Sequence, residues 1–118
     1  MHMSVNFSEL RQKILTFRDR RDWNQFHDPK NLAEAICIEA SELMAVFLWK
    51  RSDESRDLSD IEVTSIKHEI ADIFIFLTYL CEEFGLDFLS EVNNKLSINN
   101  DKYQIDKSKV SRKKYTEL

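Results

Sequence analysis

The chain has 118 residues, of which 32% are charged, with a formal net charge of −4 at pH 7 and only one glycine and one proline. That length fits one domain able to bury a core without disulfide or metal staples. Scarce turn formers beside abundant Leu, Ile, Glu and Lys exclude a sheet-rich fold and predict an all-α one, and the acidic balance, with basic residues concentrated only in the C-terminal tail, argues against a duplex nucleic-acid binder.

Met1-His2 ahead of Met3 reads as an expression remnant, and residues 1–5 are set aside as a disordered lead. Asn6 followed by Glu9 offers a capping box, after which Leu10, Ile14 and Phe17 form a helical stripe to about Arg20. The segment from Asp22 to Asp28 is irregular, and Pro29 both disfavours helix before it and permits a helix after it. A second helix starts near Asp28 or Asn31 and runs to about Trp49, with Leu32, Ala35, Ile36, Leu43, Val46 and Phe47 on its apolar face. Lys50 to Ser59 is polar and aperiodic, hence a loop.

The third helix is expected from Ser59 or Asp60 to about Phe84, with Gly85 at its C-terminal end. Its run from Ile73 to Cys81 is apolar around the whole circumference, so every side needs cover, and a second copy of the chain is expected to supply part of it. The run is too short to span a bilayer and is bracketed by Glu69, Asp72, Glu82 and Glu83. With no secretory signal pattern either, a cytoplasmic protein without a membrane segment is expected. Cys37 and Cys81 lie in apolar helical stretches and read as buried thiols, without the spacing of a zinc site. The fourth helix begins around Asp87 or Ser90 and ends near Asn99-Asn100, with Phe88, Leu89, Val92 and Leu96 as its buried side. The domain is thus placed at 6–101, and 102–118 is a basic tail.

Two acidic pairs stand out, Glu39-x-x-Glu42 and Glu69-x-x-Asp72, each inside an apolar helical stretch. Residues three apart share a helix face, so two packed helices would aim four carboxylates at one point. Mutual repulsion and desolvation make that costly unless a hard divalent cation is bound, and an all-oxygen donor set favours Mg²⁺, with Mn²⁺ as the alternative. A carboxylate-bridged di-iron site would need Glu-x-x-His on two helices, whereas His68 directly precedes Glu69 and faces elsewhere. Trp23, Phe26 and His27, joined by Trp49, supply aromatic faces and an imidazole suited to a nucleobase. Such a site neutralises polyphosphate charge, and Glu42 is the favoured carboxylate to orient and deprotonate water.

The chain resembles the MazG-like all-α nucleoside triphosphate pyrophosphohydrolases, and most of all their dCTP pyrophosphatase branch. The resemblance rests on Arg21-Asp22-Trp23-Asn24-Gln25-Phe26-His27, then Pro29-Lys30-Asn31-Leu32, Glu39-Ala40-Ser41-Glu42-Leu43 and Trp49-Lys50. Glu69-Ile70-Ala71-Asp72, Lys95 to Asn99, Lys102-Tyr103 and the ending Ser111-Arg112-Lys113-Lys114-Tyr115 complete it. It implies a four-helix bundle completed by oligomerisation, a dimer or tetramer, that converts dCTP or a modified dCTP to monophosphate and diphosphate in nucleotide-pool house-cleaning. Carried over, Glu39, Glu42, Glu69 and Asp72 become Mg²⁺ ligands, Trp23, His27 and Trp49 the base and sugar pocket, and Lys95, Asn99, Lys102, Tyr103, Arg112 and Lys113 the triphosphate contacts. Two departures stand against the family pattern: Ile38 where an additional Glu is frequent, and Gln104 where a proline is common. The competing readings are the same fold acting on another nucleotide, as in all-α dUTPases or phosphoribosyl-ATP pyrophosphohydrolases, and a non-catalytic helical assembly module.

Overall fold

A computed structural model describes residues 4–103 and 105–108. Its elements are α1 (Phe7–Asp19), a 3-10 turn (Trp23–Phe26), α2 (Pro29–Val46), a second 3-10 turn (Ser52–Glu54), α3 (Asp60–Glu83), α4 (Phe88–Lys102) and the single turn α5 (Ile105–Ser108). No strand occurs among the described residues, so the all-α expectation holds.

Each long helix starts where a short polar side chain takes over unsatisfied backbone N–H groups. Asn6 accepts from the amides of Ser8 and Glu9, Asp28 from Asn31, Ser59 from Glu62 and Asp87 from Ser90. At α2 the cap is Asp28 with Pro29 at the first helical position, not Asn31, whose side chain instead donates to the Phe26 carbonyl and to Asp28 Oδ2. That helix ends at Val46, so Trp49 stands beyond it in a tight turn, held by Phe47 N–H to Met44 O and Lys50 N–H to Phe47 O. α3 stops at Glu83 because Gly85 takes a left-handed φ of 62°, which an L side chain resists.

The chain divides after Gly85 into two compact units. In the first, three pairings fix α2 and α3 as antiparallel neighbours: Lys50 with Glu62 near the connection, Glu39 with Glu69 and Asp72 midway, and His27 with Phe76 and Tyr79 at the far end. α1 packs on α3 through Phe7 against Phe74, an Arg11–Glu82 ion pair and the Tyr79 hydroxyl, which donates to the Ile14 carbonyl at 3.1 Å. Ile14, Leu15, Leu32 and Tyr79 form the buried core, with Leu10, Phe74, Ile75, Phe76 and Leu80 packed around it.

That core is small, and α3 shows why. Of its apolar run only Tyr79, with Thr78 beside it, is buried in the single chain, and Ile70 remains 57% exposed. In the second unit α4 runs two residues past the expected end, and its anticipated buried side is not covered within the unit: Leu89, Val92 and Leu96 are all exposed. Cys37 is likewise exposed rather than buried, and Cys81 is half-buried.

Candidate metal centre

Halfway along the α2·α3 pair, Glu39, Glu69 and Asp72 each bring a carboxylate oxygen to within 4.8 Å of the other two. The spacing that aligns Glu69 with Asp72 is one helical turn, and the antiparallel register sets Glu39 opposite them. Glu39 and Glu69 are half-buried and Asp72 is exposed, so the cluster has a covered floor and an open side. Glu42, one turn further along α2, is exposed and stands outside this set. The sequence-level quartet is therefore three converging groups and a fourth alongside.

The electrostatics follow from the crowding. A hydrogen bond shared with Glu69 is the main reason the Glu39 carboxyl is pushed up from 4.5 to about 7; burial comes next, followed by the charges of Glu42, Glu69 and Asp72. Glu69 Oε2 is buried without a hydrogen-bond partner. An orphaned acceptor beside a proton-sharing pair is a costly arrangement for a bare protein. A divalent cation relieves both, so the residues present fit the ion that their chemistry implies.

The aromatic residues divide into two places. His27 lies among Trp23, Phe76 and Tyr79, with ring centroids at 6.4, 6.2 and 5.2 Å, and its Nδ1 is buried without a hydrogen-bond partner. Burial first, and the Arg18 cation second, push the His27 pKa down, while Glu83 opposes them. Trp23 stacks edge-on with Phe17 at 5.6 Å and remains 41% exposed. Trp49, by contrast, is 93% exposed. Trp23 and His27 precede α2 at Pro29 and Trp49 follows its end at Val46, so the rings stand at opposite ends of the helix that carries Glu39. Within one chain these rings do not meet.

Lys95, Asn99 and Lys102 lie on α4, with Tyr103 at its C-terminal cap, in the second unit. Arg112 and Lys113, like Gln104, fall outside the described residues. Ile38, directly before Glu39 on α2, is 55% exposed.

Sequence reasoning overlooked Arg18 and Tyr79. Arg18 is buried, 5.4 Å from the Tyr79 ring centre and paired with Asp19 at 2.9 Å. Its place on the inward stripe of α1, four residues after Ile14, is the signal that marks it.

An antiparallel helix pair carrying three facing carboxylates on a half-open floor defines a class of helical protein equipped to hold a divalent cation. The profile of the MazG-like family matches residues 35–118, and the chain belongs to that family. It is 34% identical over 112 residues to "dCTP pyrophosphatase 1" of Homo sapiens, and equally to that of Bos taurus, covering 93% of this chain. The chain spans 66% of the length of these curated relatives. A crystal structure of a pyrophosphatase from Archaeoglobus fulgidus DSM 4304 superposes with a TM-score of 0.78 at 36% identity, covering 87% of this chain and 96% of that one.

Proposed function

We propose that this protein is a Mg²⁺-dependent nucleoside triphosphate pyrophosphohydrolase, with dCTP or a modified dCTP as substrate, acting as a cytoplasmic homo-oligomer in nucleotide-pool house-cleaning. The observation that carries the reading is the convergence of Glu39, Glu69 and Asp72 around an unsatisfied buried oxygen. The human, bovine and archaeal relatives, named as pyrophosphatases, support the reaction class, and the first two the base.

Glu39, Glu69 and Asp72 would hold the divalent cation, which would supply charge neutralisation to the polyphosphate. The remaining chemistry falls to the chain's own groups. Glu42 stands beside the ligand set with solvent access, suited to orient a water and take its proton. Addition of that water to phosphorus and rupture of the α–β bridging bond leave the monophosphate and diphosphate, with no covalent enzyme intermediate. Trp23, His27 and Trp49 are assigned to the base and sugar, and Lys95, Asn99, Lys102, Tyr103, Arg112 and Lys113 to the triphosphate. Since Trp49 and the Trp23/His27 cluster flank the acids from opposite ends of α2, a pocket using both draws them from different subunits, which is why an oligomer belongs to this reading.

The test is a panel of deoxy- and ribonucleoside triphosphates with Mg²⁺, including 5-modified cytosines, scored for diphosphate against orthophosphate. The expected result is diphosphate release, fastest with a cytosine deoxynucleotide. Glu39→Gln and Asp72→Asn are expected to lower kcat/KM by about 100-fold or more while the helical circular dichroism is retained. Full turnover in both variants refutes the site.

A further inference from the structure

The loop joining the two acid-bearing helices is closed by one lysine. Lys50 Nζ donates to the Asp57 carbonyl at 3.1 Å and pairs with Glu62 Oε2 at 3.3 Å. The other oxygen of the same carboxylate, Oε1, accepts the Ser59 amide at 3.0 Å, while Ser59 Oγ accepts the Glu62 amide at 3.2 Å. Glu62 thus serves two purposes at once: it caps α3 and it anchors Lys50. Its backbone bond to Ser59, with Lys50 adding to it, holds the carboxyl below its ordinary range and keeps it charged. The two side chains retain only 23% and 31% of their exposure, unlike the Arg51 pairs in the same loop, where Arg51 retains 77%.

Trp49 is the residue next to this clasp. The turn that carries it is fixed on one side by Phe47, Leu48 and Lys50 amides bonded to Met44, Ala45 and Phe47 carbonyls, and on the other by Lys50 reaching the start of α3. A tryptophan 93% exposed on a backbone tied down at both sides is a presented ring. An exposed ring on a free loop would lose conformational entropy whenever it stacked on a ligand, and a preset turn removes much of that cost.

We infer that Lys50, through its clasp to Glu62 and Asp57, is a positioning residue that holds Trp49 in place for recognition of the nucleotide's base. This rests on the functional reading above. Lys50 itself touches no reacting atom: its role is to lower the cost of base binding without acting on the phosphates. Lys50→Met breaks the ion pair and the carbonyl contact while keeping the aliphatic stem. Lys50→Arg keeps a cation able to reach Glu62.

Two measurements on the full chain decide it. In a Trp23→Phe background, time-resolved fluorescence anisotropy of Trp49 is expected to show a larger fast component, at the expense of the slow amplitude, in Lys50→Met and to return to that of the parent in Lys50→Arg. In steady-state kinetics with Mg²⁺, Lys50→Met is expected to raise KM for dCTP about tenfold with kcat within twofold, while the inhibition constant of inorganic tripolyphosphate, which has no base, stays unchanged. Combining Lys50→Met with Trp49→Ala is expected to be no worse than Trp49→Ala alone. Additive losses, an equal shift for tripolyphosphate, or unchanged Trp49 anisotropy overturns the inference. If the unmodified protein hydrolyses no nucleotide, the functional reading fails and the recognition role with it, whereas the anisotropy still decides whether the clasp orders Trp49.

Discussion

Glu39 is the residue in which the site's physics is concentrated. In the metal-free protein its carboxyl is pushed up to about 7, first by the hydrogen bond with Glu69, then by burial and by the neighbouring negative charges. An unfolded chain releases that proton near 4.5, so between about 4.5 and 7 the folded state holds a proton that the unfolded state has lost. Stability therefore falls as pH rises through this window and levels off above it. His27 contributes with the opposite sign: its lowered value means that below 6.5 the unfolded state takes up the proton first, so stability drops as pH falls. The difference in melting temperature between the unmodified protein and Glu39→Gln, both in EDTA, isolates the first effect and is expected to change steadily from pH 5 to 7. Saturating Mg²⁺ is expected to reverse that slope, because ligation needs the ionised carboxylate. A difference independent of pH shows that Glu39 and Glu69 share no proton.

At the scale of elements, α2 and α3 work as one antiparallel unit whose register sets which acids meet. The register is held at the far end by Leu32, 1% exposed in the core with Ile14, Leu15 and Tyr79. Truncating it leaves a cavity that rigid helices fill poorly, and Leu32→Ala is expected to cost about 3 kcal/mol in urea or thermal unfolding. Loss of under 1 kcal/mol would show that the small core is not what pins the pair. Gaps in the sequence reading at this scale have local causes. Asp28 and Asn31 are both capping residues, so spacing does not choose between them; the Asn31 side chain turns back to Asp28 and Phe26, which no spacing rule reveals. The expected end at Trp49 is three residues late, because the apolar pattern continues through Phe47 and Leu48 while the backbone has already tightened into a turn.

For the whole molecule, the single chain leaves too much apolar surface uncovered. Met44, Leu48, Ile61 and Ile70 in the first unit are between 57% and 81% exposed, and Leu89, Val92 and Leu96 in the second between 47% and 63%. At about 25 cal/mol per Å² of apolar area removed from water, side chains of this kind favour association strongly. Light scattering coupled to gel filtration is expected to give two or four times the mass of one chain at micromolar concentration. A monomer that persists across a hundredfold range of concentration would refute the oligomer and the shared pocket together. Among the described residues no helix is long and apolar enough to cross a membrane.

What the sequence by itself determined was local: the four long helices and the acidic pairs whose three-residue spacing places both members on one face, since periodicity acts between neighbours. What only the tertiary structure decided was which of those groups meet. Facing helices brought Glu39 to Glu69 and Asp72 and left Glu42 alongside, set His27 against Tyr79, and tied Lys50 to Glu62 across the loop. Such meetings depend on the register between helices, which is a property of packing and has no signature at any spacing along the chain.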